Sequence, residues 1–135
     1  MVMEEILTIY IDLMDIFEVK GKTAEAVMIN FTGNCKGRYF NGNVLPGGVD
    51  TQKEFYPQNR TLSARYILEG IDDKGKNCRI FIENEAVLGS DKKLDHTTPK
   101  IITDSKSLAW MEEAYLKGTI EPIGDGCIIH IFKID

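Results

Sequence analysis

The sequence predicts an all-β protein: a single antiparallel β-barrel with one short helix, forming one domain over residues 1–135. Three observations predict this class. Apolar residues alternate with polar ones through much of the chain, turn-forming residues separate the alternating runs, and only one brief segment has helical spacing. A sandwich is the alternative, but a barrel is favoured because closure removes exposed strand edges that invite aggregation.

Five runs have the two-residue period of a strand that buries one face. They are residues 6–13, 24–32, 61–69, 78–86 and 127–134. In the first run, the side that carries Leu7 also carries Leu13. In the third, the side that carries Ala64 also carries Tyr66. Each run therefore predicts a strand with one buried face.

Turn signals separate these runs, and each joins neighbours that can pair as antiparallel hairpins. They lie at residues 21–22, 33–34, 72–77 and 122–126. The helical candidate begins where Asp104 or Ser105 can cap a turn. This turn places Leu108 and Met111 on one face beside Trp110. The segment is too short to serve as the crossover helix of a parallel sheet.

Composition excludes several classes of protein. The 135 residues are 43% hydrophobic and 27% charged, as in an ordinary globular domain. Sixteen basic and 21 acidic residues give a net charge of −5, which repels nucleic acid. The acidic start of the chain differs from a signal peptide, and no apolar run reaches membrane-spanning length. We therefore expect a cytoplasmic protein that binds neither nucleic acid nor membrane.

The cysteines and histidines predict no metal site and no cofactor. Cys35, Cys78 and Cys127 are odd in number and widely spaced, which is typical of reduced thiols rather than of a disulfide framework or a zinc site. His96 lies in a polar loop without an evident nucleophile nearby. His130 is interpreted as a strand histidine that is satisfied locally.

The stretch GNVLPGGVDTQ, residues 42–52, holds the first candidate site. Its glycines do not have the spacing of a phosphate-binding loop. Pro46 and Gly47 suit the central positions of a type II turn. The N–H groups of Gly47 and Gly48 can face a cavity and bind a carboxylate or oxyanion, with Asp50 as an acid, base or hydrogen-bond partner. A solvated hairpin with Asp50 outside is the alternative.

Four further side chains are candidates, each with a structural alternative. Arg65 lies either on a solvated face or in a polar pocket, paired with an acid such as Asp50 or Glu83. Asn84 continues the apolar line of its strand, so it projects an amide into the interior or bonds to backbone at the strand end. Trp110 and Tyr115 either line a ligand cavity or belong to the core.

Five pieces of the chain, in this order and at these separations, carry a resemblance to a known family. They are residues 42–50, 63–66, 98–103, 108–110 and 129–134. The chain resembles the bacterial and fungal family called domain of unknown function three-two-three-seven. The resemblance implies a lipocalin-like (calycin-like) barrel with an interior cavity and no generally assigned activity.

The resemblance also bears on the candidate site. Asp50, Arg65 and Trp110 fall on recurrent family positions, which implies a shared polar pocket. The chain departs from the family pattern at Thr51, where tryptophan is frequent, and after Asn84, where glycine often follows closely.

Three functions from different classes follow. The first is binding of a small organic molecule in a polar pocket inside the barrel. The second is a cofactor-independent enzyme for proton transfer, cyclisation or hydrolysis on a carbonyl compound. In this enzyme Asp50 is the acid or base, and Arg65 with the Gly47 and Gly48 amides holds developing negative charge. The third is a homo-oligomeric module that buries outer apolar groups such as Phe81 and Val87.

Overall fold

The computed structural model describes residues 2–135, which form nine β-strands and one short 3-10 helix. The strands are β1 (Met3–Lys20), β2 (Ala24–Cys35), β3 (Phe40–Val44), β4 (Val49–Phe55), β5 (Thr61–Asp72), β6 (Asn77–Val87), β7 (Thr98–Thr103), β8 (Tyr115–Ile123) and β9 (Gly126–Ile134). The helix covers Ala109–Glu112. Within this described range, no helix has the length and apolar character needed to cross a bilayer.

The strands form one antiparallel sheet. Their order is β7-β6-β5-β3-β2-β1-β9-β8, and β4 pairs with β2 and β5. At the ends of this order, the N–H of Thr97 donates to the carbonyl of Gly118 at 2.8 Å, and the N–H of Gly118 donates to Thr97 at 3.0 Å. Thr97 precedes β7 and Gly118 lies in β8, so this isolated bridge links the residue before β7 to β8. The predicted all-β antiparallel class is confirmed.

The five alternating runs lie within β1, β2, β5, β6 and β9, which confirms those strand predictions. The turn predicted at Gly33 and Asn34 is wrong, because both residues lie inside β2 and pair with Ile11 and Tyr10 of β1. Glycine and asparagine favour turns, but here a neighbouring strand lies beside them and the extended ladder continues.

The short helix has the predicted buried face. Leu108 and Met111 are fully buried. The Ser105 hydroxyl accepts a hydrogen bond from the N–H of Leu108 at 3.3 Å, so it holds the start of this turn. Asp104 does not cap the turn, because its carboxylate accepts a hydrogen bond from the backbone N–H of Arg79 at 2.8 Å.

The Leu45–Gly48 stretch interrupts one strand rather than closing a hairpin. β3 and β4 both lie between β2 and β5. Val44 pairs with Leu68 and Val49 with Arg65, so four residues stand opposite two. Gly47 has φ +108°, as the second central position of the predicted type II turn requires. Because the number of extra residues is two, side chains in β3 and β4 keep the same alternation between the two faces of the sheet.

One face of the sheet, here called the inner face, carries the apolar core. Its largest fully buried side chains are Leu7, Ile9, Phe40, Leu68, Ile80, Ile82, Leu108, Met111 and Ile131. Leu13, predicted to share this face with Leu7, is 43% exposed. Leu13 pairs with the buried Phe31, so it does lie on the predicted face. It is exposed where β1 runs past β9, whose pairing with β1 ends at Ile11.

Candidate functional site

A row of cross-strand neighbours brings Asp50 and Asn84 to the inner face. Asp50 of β4 pairs with Ala64 of β5, Ala64 pairs with Asn84 of β6, and Asn84 pairs with Pro99 of β7. Directly opposed residues in antiparallel strands project from the same face. Ala64 and Asn84 are buried, so the row lies on the core side of the sheet.

The Asp50 carboxylate is held through one oxygen. Its Oδ2 accepts a hydrogen bond from Nε2 of Gln52 at 2.8 Å. Its Oδ1 is buried and has no hydrogen-bond partner among residues 2–135. Burial raises the pKa of Asp50 above its ordinary value, while the Gln52 hydrogen bond and the charge of Arg60 act in the opposite direction. A carboxyl with a raised pKa and one free oxygen can act as an acid, a base or a hydrogen-bond acceptor.

A chain of polar contacts leads from Asp50 towards the surface. Oε1 of Gln52 accepts a hydrogen bond from Nε of Arg60 at 2.9 Å. Nη1 of Arg60 lies 3.2 Å from Glu25 and 3.6 Å from Glu54. The Arg60 side chain is 18% exposed, so this network is largely shielded from water. Gln52 and Arg60 therefore fix the orientation of Asp50.

Three more inner-face side chains carry buried polar atoms without partners in the described part of the chain. They are the Tyr66 hydroxyl, Oδ1 of Asn84 and the Thr97 hydroxyl. Tyr66 lies two residues from Ala64 along β5, and Thr97 lies two residues from Pro99. Tyr66 and Thr97 occupy the rows on either side of the Asp50 row, each displaced by about 7 Å along the strands. Across the sheet, Asn84 lies two strands from Asp50 and Thr97 lies beside the third, about 10 Å and 14 Å away. We call Asp50, Tyr66, Asn84 and Thr97 the polar cluster.

Tyr66 is fixed by its ring. The ring packs edge-on against Phe31, with 5.2 Å between centroids and 74° between planes. Only 3% of the residue is exposed, and burial raises the pKa of the phenol, so Tyr66 stays neutral. A buried hydroxyl without a partner is costly. It therefore points to a bound molecule or water as its partner.

The cysteines do not add a reactive nucleophile to the cluster. Burial raises the pKa of the Cys35 thiol to about 12. Burial, and secondarily the charge of Asp50, raises the pKa of Cys127. Thiols with raised pKa values remain protonated and unreactive.

Comparison with known proteins identifies the family. The family model described as "Protein of unknown function (DUF3237)" matches residues 2–134. The chain belongs to the DUF3237 family. This confirms the resemblance drawn from the sequence. A UPF0311 protein of Clostridium acetobutylicum is 41% identical over 56 residues, a match that spans 42% of this chain and 33% of that relative.

Two solved structures share the fold of this DUF3237 chain. One is described as a beta-barrel like protein from Acinetobacter baumannii AYE, with TM-score 0.78, 17% identity, and coverage of 99% of this chain and 96% of that one. The other is described as an enzyme from Penicillium herquei, with TM-score 0.76, 13% identity, and coverage of 99% and 94%.

The DUF3237 chain does not bring all the predicted site residues together. Asp50 and Asn84 share the inner face, so the alternative with Asp50 outside is wrong. Arg65 is exposed on the outer face, opposite Val49 and Glu83 of the flanking strands. Asp50 and Arg65 therefore lie on opposite sides of the sheet and do not converge on one cavity.

The remaining predicted residues lie away from the polar cluster or are already engaged. Tyr115 is 82% exposed, so it lines no interior. Trp110 is partly buried, with its ring 5.2 Å from that of Tyr39 and 5.5 Å from the Lys133 ammonium, as the core alternative predicts. Gly47 is exposed in the turn, whereas Gly48 is buried and accepts the N–H of Phe31 at 3.0 Å.

The histidines form local contacts. The His130 ring lies 2.7 Å from Glu5 and 2.9 Å from Glu121, which confirms the prediction of local satisfaction. His96 contacts Asp95 at 2.6 Å. Within residues 2–135, no group of three or more His, Cys, Asp or Glu side chains is arranged so that it could hold a metal ion.

Sequence reasoning missed four members of the site. Tyr66 lies in an alternating run that predicts a buried face, but the pattern does not show whether its hydroxyl binds a ligand or its ring is simply part of the core. Gln52 contacts Asp50 within β4, whereas Arg60 and Thr97 lie outside the strands. The only sequence signal is that Gln52 lies two residues from Asp50, which in a strand places both side chains on one face.

Proposed function

We propose that the polar cluster binds a small, uncharged organic molecule that carries several hydrogen-bond donors. We further propose that the Thr97–Gly118 pair closes the sheet as a lipocalin-like barrel around that molecule. One observation carries the proposal: Asp50, Tyr66, Asn84 and Thr97 each present a buried polar atom without a partner in the described chain. Native proteins rarely leave such atoms unpaired.

The chemistry of these atoms favours a ligand that donates. The free oxygens of Asn84 and of an ionised Asp50 can only accept hydrogen bonds. The hydroxyls of Tyr66 and Thr97 can donate or accept. Phe31 and neighbouring aliphatic side chains supply apolar contact, as in most small-molecule sites. A hydroxylated ring system meets both requirements.

The charges of the site favour a neutral ligand. Arg60, the cation that acts on Asp50, is already in contact with Glu25 and Glu54. Arg65 lies on the other face of the sheet. A carboxylate ligand would therefore face Asp50 without a free counter-charge, at a cost in desolvation and repulsion.

Thermal shift with matched compounds tests this proposal. A dihydroxybenzene, its dimethyl ether and the corresponding benzoate share one ring but differ in donors and charge. We expect the dihydroxybenzene alone to raise Tm, by an amount that grows with the logarithm of its concentration. Asn84→Leu, which keeps the side-chain volume, should abolish this response. Asn43→Leu, at an exposed position, is the control.

Two outcomes would count against binding by the polar cluster. One is stronger stabilisation by the benzoate than by the dihydroxybenzene. The other is an unchanged response in Asn84→Leu, because the ligand would then bind elsewhere.

A second candidate function is proton transfer on a carbonyl compound without a cofactor. The raised pKa of Asp50 and its free Oδ1 favour this function. The structurally similar protein from Penicillium herquei, described as an enzyme, adds support. In this scheme the Asp50 carboxylate takes a proton from the carbon beside the carbonyl, and Tyr66 or Thr97 donates a hydrogen bond to the enolate oxygen. Arg65 takes no part.

Deuterium exchange tests the catalytic candidate. Ketones incubated with the protein in heavy water should exchange their α-protons, and exchange should stop in Asp50→Asn. Glu54→Gln, which alters a contact of Arg60 instead, is the control. If wild type and Asp50→Asn exchanged the α-protons at the same rate, Asp50 would not be the base in this reaction.

A further inference from the structure

The second half of β1 has an open edge. β1 pairs with β9 from Met3 to Ile11. From Leu13 to Lys20, β1 pairs with β2 on one side, and no strand within residues 2–135 pairs with its other side. The backbone N–H and C=O groups along this edge are therefore available to another strand. Soluble proteins usually protect such edges, because exposed ones promote pairing between chains.

Exposed apolar side chains lie on the open edge and on the two strands next to it. Seven of them are between 43 and 67% exposed: Leu13, Met14, Ile16, Phe17, Val19, Met28 and Phe55. Together they expose on the order of 700 Å², divided between the two faces of the sheet, because Ile16 pairs with Ile29 and Phe17 pairs with the exposed Met28. A strand added at the edge would therefore contact apolar side chains on both faces, within the ~800 Å² that each partner contributes to a standard interface.

We propose that a second copy of this chain pairs with the edge, antiparallel and about a two-fold axis. The same segment of each copy then satisfies the backbone groups of the other, which is the geometry of an isologous dimer. This inference is independent of the proposed ligand. It places the interface on β1, away from the Phe81 and Val87 face suggested by the sequence.

The charges of the edge favour one register. A two-fold axis at Phe17 places this ring opposite its copy, as an aromatic cross-strand pair. Asp15 then lies opposite Val19. Glu18 lies opposite Ile16, so no acid faces another acid. An axis at Glu18 would instead place two glutamates opposite each other, which is unfavourable.

The edge also borders the row of the polar cluster. Ile16 pairs with Ile29, and Ile29 pairs with Asp50. Ile16 therefore lies on the same face as Asp50, two strands away, or about 10 Å. Ile16 is 55% exposed, so the second copy would cover the open end of this row.

Light scattering coupled to size exclusion, over a range of concentrations, tests the dimer. Val19 and Val87 are both strand valines with similar exposure, 67% and 64%. We expect a wild-type dimer that Val19→Lys weakens by on the order of 100-fold, because a two-fold interface carries the substitution twice. Val87→Lys should leave the dimer intact. Both positions are exposed, so folding is retained, as circular dichroism will show.

Hydrogen exchange provides the second measurement. Amides of residues 13–20 should exchange more slowly as the protein is concentrated, and Val19→Lys should remove this protection. Three results would overturn the proposal: a wild-type monomer at high concentration, a dimer broken by Val87→Lys but not by Val19→Lys, or a monomer that binds lipid vesicles through this edge.

Discussion

The buried hydroxyl of Tyr66 makes an unusual prediction, that its removal stabilises the protein. Tyr66→Phe deletes one polar atom and keeps the edge-on packing against Phe31. An unpaired buried hydroxyl costs about 1–3 kcal/mol. A gain of about 1–2 kcal/mol in the free energy of unfolding should therefore follow, which corresponds to about 3–7 °C in Tm for a chain of this length.

Urea and thermal unfolding of the ligand-free protein measure this change. Tyr115→Phe is the control, because its hydroxyl belongs to a residue that is 82% exposed, and we expect it to alter stability little. The same Tyr66→Phe variant should bind the dihydroxybenzene more weakly, so stability and binding should change in opposite directions. A loss of more than about 1 kcal/mol in Tyr66→Phe would refute the reasoning, because it would reveal a satisfied hydroxyl.

Three further predictions concern other parts of the molecule. Gln52→Leu should raise the pKa of Asp50 further, since it removes a hydrogen bond that lowers it, and carbon NMR of the carboxyl measures this. Burial lowers the pKa of His130, but its hydrogen bonds to two glutamates raise it more, so the net pKa lies above 6.5. The stability difference between wild type and His130→Gln should then be largest below pH 6.5 and disappear as pH rises through the raised pKa. Gly70→Ala should cost about 3 kcal/mol or more, because a Cβ would lie 2.0 Å from the carbonyl oxygen of a residue in β3.

Gln52→Leu and Gly70→Ala each have a matched control, and each of the three predictions has a result that would contradict it. Gln58→Leu, at an exposed position, should leave the Asp50 titration unchanged; an unchanged pKa in Gln52→Leu would disprove the hydrogen bond. If the stability difference between wild type and His130→Gln instead grew towards high pH, the pKa of His130 would be lowered by folding, contrary to the prediction. Gly37→Ala, whose Cβ would meet no atom within 4 Å, should be nearly neutral, and a tolerated Gly70→Ala would contradict the close approach of β3 and β5.

Much of the fold was predictable because five strands carry a strict alternation of apolar residues. The missed strands lack it. β4 has the sequence VDTQKEF, with polar residues facing inward as well as outward. β7 contains Pro99, which disfavours a strand assignment, and β8 contains Gly118 and Pro122. Their strand structure depends on neighbours that are distant in the sequence, which no local pattern contains.

The site was predictable only in part, for a similar reason. Asn84 was found because it continues a buried apolar line, and Asp50 because it follows a distinctive turn. The same alternation that buries Ala64 and Tyr66 turns Arg65 outward, and this geometry separates it from Asp50. Thr97 joins the site through its pairing with Gly118, a contact between segments about twenty residues apart.

The Leu45–Gly48 interruption has a consequence for how this family can change. Its two surplus residues are an even number, so β3 and β4 keep the same side chains turned towards the core. Shortening the interruption by a single residue would reverse β4, sending Asp50 to the solvent and Thr51 inward. Insertions and deletions here must therefore change the length by an even number of residues if Asp50 is to keep facing the core.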